Sequence, residues 1–157
     1  MKTTTVLQDN SVIKMKTVLF VCTGNTCRSP MAEAIFNHLA GGKDFYASSC
    51  GIYGDGVSPI SDNAKKALNE IGISSEHIST PLSKELIDNA DFIIGMTSNH
   101  AGSILSMFPE YSDKVYAMPK DISDPYGGNI DMYRACRDEI TECIKGLIKA
   151  LTGENDG

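Results

Sequence analysis

Three features of the 157-residue chain predict a doubly wound α/β fold, with a four-stranded parallel sheet flanked by helices in a single domain. Short uninterrupted apolar runs recur, as suits strands buried on both faces. Each is followed by apolar residues at helical spacing. Ser, Pro and Gly sit between them, where helices start and stop.

The elements follow in order. Residues 1–14 are polar and Thr-rich with no sustained period, so a flexible N-terminal extension is expected, with Met15 as an alternative start. Residues 15–152 form the domain. Thr17 to Val21 reads as a buried strand. Ser29 and Pro30 then open a helix, with Ser as its cap, Pro in the first turn and Glu33 near the positive end of the dipole. Met31, Ala34, Ile35 and Leu39 form its apolar stripe, and Gly41-Gly42 stops it. Phe45 to Ser49 is the second strand. Ser61 caps a helix with Ala64, Ala67, Leu68 and Ile71 on one face and Gly72 as its stop. Ser83 caps a short helix reaching Ala90. Phe92 to Met96 is a strand, His100 to Phe108 a helix, and Lys114 to Ala117 the last strand. Met118 to Asn129 holds Pro119, Pro125, Gly127 and Gly128 and must be a loop. Ile130 to Leu151 is a long helix with Ile140, Ile144, Leu147, Ile148 and Leu151 aligned. Residues 153–157 are a frayed tail.

Composition narrows the function. Fourteen basic and twenty acidic residues leave a net charge of −6, which argues against a nucleic-acid partner. No apolar run reaches the roughly 18 residues a membrane span requires. No secretory leader is visible, so the expected location is cytoplasmic. Five Cys, an odd number, speak against a disulfide framework and for reduced thiols. Only three residues are Arg: Arg28, Arg134 and Arg137.

One of those Arg falls at the most informative place. Between the first strand and first helix lies Cys22-Thr23-Gly24-Asn25-Thr26-Cys27-Arg28-Ser29. A loop at a strand's carboxyl end, opening a helix, is a natural anion site. Gly24 and Asn25 are the residue types that best accept positive φ. Arg28 offers a planar fork for two phosphate oxygens. Cys22 faces the same positive field, which is expected to lower its pKa and favour the nucleophilic thiolate. Five residues separate Cys22 from Arg28, enough to wrap once around a tetrahedral anion. The ATP-type phosphate loop does not match, because no Gly-Lys-Ser/Thr follows. The bland alternative is an inert buried Cys beside a surface Arg.

The stretch Val21 to Glu33, VCTGNTCRSPMAE, resembles the signature of the low-molecular-weight protein tyrosine phosphatase family, whose fold is flavodoxin-like. The likeness runs from Lys16 to about Leu151. Asp124-Pro125-Tyr126-Gly127 resembles the family's second motif, which carries the general acid. The resemblance implies that Cys22 attacks phosphorus and forms a cysteinyl-phosphate. It implies that Arg28 and the loop residues Thr23, Gly24, Asn25, Thr26 and Cys27 bind the phosphate. Asp124 then protonates the leaving group and activates water. Ser29 is implied to stabilise the thiolate, and Asn25, Ser48 and His77 to brace the loop. Cys27 resembles a neighbouring cysteine that can trap the oxidised nucleophile as a disulfide, or it is a small residue packed under the loop. No cofactor or metal is required, because the loop and Arg28 supply the positive charge. The expected partner is a phosphorylated protein, and the expected state a monomer. Cys50, Cys136 and Cys143 read as packing residues.

Thr26, a single aromatic Tyr126 before Gly127-Gly128, and Met96-Thr97 look like the bacterial protein arginine phosphatase branch. Tyrosine-specific members commonly have a larger aliphatic residue at the Thr26 position and two consecutive aromatics after the Asp-Pro. The resemblance therefore implies phosphoarginine as the expected substrate, with phosphotyrosine the alternative. A thioredoxin-coupled arsenate reductase is disfavoured, because no Cys lies between Gly51 and Ala135. A non-catalytic phosphate-binding module is disfavoured by the presence of both Cys22 and Asp124.

Overall fold

The computed structural model describes residues 4–6, 12–41 and 43–153. Two short strands, β1 (Thr4–Val6) and β2 (Val12–Lys14), pair antiparallel outside the main sheet. Three-residue strands are too short to show a period, so the sequence reading missed them. The expected flexibility of 1–3 and 7–11, and the fraying of 154–157, lie outside the described residues.

The main sheet is built from β3 (Lys16–Cys22), β4 (Phe45–Gly51), β5 (Phe92–Gly95) and β6 (Val115–Ala117). Its order is β4-β3-β5-β6 and every pairing is parallel. Successive β3 side chains serve opposite faces. Val18, Phe20 and Cys22 face a core shared with α1 (Arg28–Leu39), α2 (Asp62–Asn69) and α5 (Ile130–Thr152). Leu19 and Val21 face a second core, where Ile87 of α3 (Lys84–Asn89) and Ala101 and Ile104 of α4 (Ser98–Met107) pack. Both faces of β3 are covered, which explains why its sequence is an unbroken apolar run.

Chain order reverses at β3: the chain next adds β4 on one side, then β5 on the other. The crevice at the carboxyl ends of β3 and β5 is the topological switch point. Cys22 is the last residue of β3 and lies at that crevice.

Several helix boundaries differ from the sequence reading. Helix α1 starts at Arg28 with Cys27 in the cap position and no side-chain cap bond. Ser29 is therefore inside the helix, and Glu33 lies beyond its first turn. Helix α2 ends at Asn69, so Ile71 drops out of the apolar stripe and is 40 % exposed. Gly72 still turns the chain, at φ 80°. Helix α4 begins two residues early because the Thr97 hydroxyl accepts the His100 N–H at 3.2 Å and caps it. Ser83 caps α3 as expected, accepting from Leu86 N–H at 3.2 Å. On α5, Ile140, Ile144 and Ile148 are buried, while Leu147 and Leu151 are partly buried against the same core.

Helix α4 approaches β5 very closely at Gly95. A Cβ there would lie 2.6 Å from Ala101 N and 2.9 Å from Thr97 O. These are backbone atoms, so they can move only with the helix. Gly95→Ala should therefore cost about 1–3 kcal/mol of stability, read from urea unfolding. A loss below about 0.5 kcal/mol would show that α4 moves freely over the sheet.

Candidate active site

The loop from Thr23 to Cys27 runs in bends between β3 and α1. Together with Cys22, Arg28, Asp124 and Tyr126 it lines a cavity of about 230 Å³. The amides of Thr23, Gly24, Thr26 and Cys27 donate to no protein acceptor among the described residues. Unspent amides around a cavity that opens a helix N-terminus form an anion cradle.

Asn25 is the keystone of the loop. It is buried and sits at φ 59°, the left-handed region that Asn tolerates better than most residues. All its side-chain hydrogen-bonding groups are engaged. The Nδ2 group donates to Ser29 Oγ at 2.7 Å and to Ser49 Oγ at 3.0 Å. The Oδ1 atom accepts from Thr80 N–H at 2.8 Å and from His77 Nε2 at 2.6 Å. Burial pushes the His77 pKa down, so the ring is neutral, with its proton on Nε2 facing Asn25. Ser49 Oγ donates in turn to Glu33 Oε1 at 2.8 Å. Burial raises the Glu33 pKa, and the Ser49 bonds only partly offset it.

Ser48, named from the family resemblance, is not the bracing serine; Ser49 is. Strand parity decides this. Phe45, Ala47 and Ser49 face α1, and a one-residue change sends the side chain to the other face. A polar residue closing the Phe45–Ala47 parity series was the available signal.

Cys22 Sγ lies 2.8 Å from Ser29 Oγ, and either atom can supply the proton. The expected N-cap hydroxyl is thus spent on the nucleophile's sulfur. Burial pushes the Cys22 thiol above its ordinary pKa. This overturns the expectation of a depressed value. The Ser29 hydroxyl, the amides of Ser29 and Asn25, and the Arg28 charge all pull it down, but desolvation outweighs them.

Arg28 is buried and its fork is aimed by two contacts. One nitrogen, NH1, donates to the Ile122 carbonyl at 3.0 Å; the other, NH2, lies 3.5 Å from Asp124 Oδ2. The Ile122 anchor is a backbone group on the Met118–Asn129 loop and left no trace in side-chain chemistry. Asp124 is half exposed, and its Oδ1 accepts the Tyr126 N–H at 3.0 Å, a turn that fixes the carboxylate beside the cavity. Tyr126 is 77 % exposed and forms the rim.

Thr26 lines the cavity, and its carbonyl accepts Ser61 N–H at 2.9 Å. Cys27 is buried beneath it. Its thiol donates to Ser61 Oγ at 3.4 Å and lies 3.3 Å from Tyr133 Oη. Burial first, then Cys27, pushes the Tyr133 phenol up to about 12. Cys50, Cys136 and Cys143 are buried in the two cores, and all five thiols are free. Among the described residues no cluster of His, Cys, Asp or Glu could hold a metal, and no helix is long and apolar enough to cross a membrane.

Comparison with known proteins agrees with this geometry. A protein-arginine-phosphatase of Bacillus subtilis is 41 % identical over 143 residues, covering 85 % of this chain and 95 % of that protein. A solved YwlE arginine phosphatase variant with a phosphorylated active-site serine superposes with a TM-score of 0.82 at 39 % identity, covering 88 % of this chain and 97 % of that one. An arsenate reductase of Bacillus cereus is 37 % identical over 131 residues, 83 % of this chain and 92 % of that protein. The profile described as low molecular weight phosphotyrosine protein phosphatase matches residues 17–156. With the loop, the buried Arg and the Asp-Pro turn brought to one cavity, the chain belongs to the low molecular weight phosphotyrosine protein phosphatase family.

Proposed function

We propose that this chain is a cysteine-dependent protein-arginine phosphatase. The observation that carries the reading is the cavity wall. Cys22 and Thr26 both line it, and Tyr126 is the one aromatic in its lining among the described residues. Thr26 narrows the apolar wall that would grip a phenyl ring, and Asp124 stands where a guanidinium would pair with a carboxylate. Similarity to the Bacillus subtilis protein supports the same substrate.

The steps use the residues as they lie. The phosphoryl oxygens occupy the cradle and the Arg28 fork, where charge is stabilised in the transition state. The Cys22 thiolate attacks phosphorus as the P–N bond breaks, and Asp124 gives its proton to the departing guanidine nitrogen. Water then attacks the cysteinyl-phosphate and passes a proton to Asp124. The S–P bond breaks, releasing phosphate and restoring the thiolate. Ser29 donates to the sulfur at this point and makes it a better leaving group. Arsenate reduction is disfavoured, because the only cysteines beyond this site are Cys50, Cys136 and Cys143, all buried in the cores.

Wild type should hydrolyse para-nitrophenyl phosphate, and Cys22→Ser should abolish turnover. Asp124→Asn should lower kcat by about 10²–10⁴ on a phosphopeptide, with a smaller loss on para-nitrophenyl phosphate, whose leaving group needs no proton. Equal losses on both substrates would remove Asp124 from the acid role. Comparing kcat/KM on matched phosphoarginine and phosphotyrosine peptides decides the substrate. Phosphoarginine should win, and Thr26→Ile should shift the ratio towards phosphotyrosine. A clear phosphotyrosine preference in wild type overturns the arginine reading.

A further inference from the structure

Thr23 directly follows the nucleophile and lines the catalytic cavity. Its main chain is held from the β4 side, where its carbonyl accepts Tyr53 N–H at 2.9 Å. Its side chain is held from the opposite side by a residue outside the expected site. His100 Nε2 lies 2.9 Å from Thr23 Oγ1, across 77 residues of sequence. His100 is in the first turn of α4 and is only 7 % exposed. Its Nδ1 lies 2.9 Å from Thr97 Oγ1.

Burial, and then the Arg28 charge, hold the His100 pKa below its ordinary value; Asp124 and Asp121 pull weakly the other way. The ring is therefore neutral near pH 7 and carries one proton. Thr97 Oγ1 already accepts the His100 backbone N–H as the helix cap. With the Thr97 proton turned to Nδ1, the ring proton sits on Nε2. In that tautomer Nε2 donates to Thr23 Oγ1. The Thr23 hydroxyl hydrogen is then free to turn to the cavity.

We propose that His100, as its Nε2–H tautomer, is a positioning residue of the phosphatase. Through the Thr97–His100–Thr23 chain it fixes the first residue of the loop, so that the Thr23 hydroxyl donates to the transferring phosphoryl group. This rests on the phosphatase reading and assigns a further donor to the same site. The donor counts most where charge builds on the equatorial oxygens, so its loss appears mainly in kcat.

The test compares His100→Ala, His100→Gln, His100→Asn, Thr23→Val and the His100→Ala/Thr23→Val double variant. Each is measured for kcat and KM on para-nitrophenyl phosphate and on a phosphoarginine peptide. His100→Ala should lower kcat about tenfold, with KM changed less than about twofold. Gln carries an amide N–H near the position of Nε2 and should recover most of the rate; Asn reaches only Thr97 and should not. Thr23→Val should reproduce the His100→Ala loss, and the double variant should be no slower than either single variant. Rescue by Asn as good as by Gln, additive losses in the double variant, or a wild-type kcat in His100→Ala each overturns the proposal. The Gln and Asn pair decides it even where Ala fails to fold. An inactive wild type would instead count against the phosphatase reading itself.

Discussion

The rest of the site depends on one constraint: a loop that turns its amides towards an anion cannot use them to hold itself in place. A strand or helix is stabilised by its own backbone bonds; Thr23 to Cys27 is not. The fold meets this by bracing the loop from behind. Asn25 ties it to β4 and to the Ser75–Thr80 segment, Ser79 Oγ donates to the Gly24 carbonyl at 2.8 Å, and Ser61 holds Thr26. Gly51 belongs to the same device, since a Cβ there would lie 2.6 Å from the Thr23 carbonyl. Among the described residues no buried side-chain polar atom lacks a partner, so the network is complete before any ligand arrives. Such a site is preorganised, with little reorganisation left to the reaction.

Electrostatics works locally here. The chain is acidic overall, at −6, while the cradle concentrates amides and one buried guanidinium around about 230 Å³. Desolvation strengthens Arg28 as a phosphate partner and at the same time penalises the Cys22 thiolate. Both effects have the same origin, the depth of the loop's floor. The donors of Ser29 and Asn25 to the sulfur are the structure's answer to the second effect.

The order of strands and helices was legible because two-sided burial writes itself as unbroken apolar runs, as in Val18 to Val21. The loop was legible because Cys22, Gly24, Asn25 and Arg28 each carry a distinct chemical demand at a fixed spacing. What was not legible depended on three-dimensional pairing. The choice of Ser49 over Ser48 turns on strand parity against α1. Ser29 looked like a helix cap because local hydroxyl signals cannot reveal a sulfur seven residues back. The Ile122 carbonyl carries no side-chain signature at all. His100 is separated from Thr23 by two strands and three helices, and the packing of α4 against the sheet, closest at Gly95, brings them together.

The distribution of sulfur has a consequence for selective chemistry. All five thiols are reduced and buried, so exposure alone does not rank them. Position does. Cys50 is fully enclosed and its thiol is pushed up to about 12, and Cys136 likewise reaches about 12. Cys22 and Cys27 are the two that line the catalytic cavity, and only Cys22 has Arg28 and two amides to steady its anion. An electrophile carrying a phosphate-like anion is delivered to that sulfur by the same cradle that recognises substrate. The enzyme's recognition element thus doubles as an address for covalent inhibitors, with the remaining cysteines protected by the core.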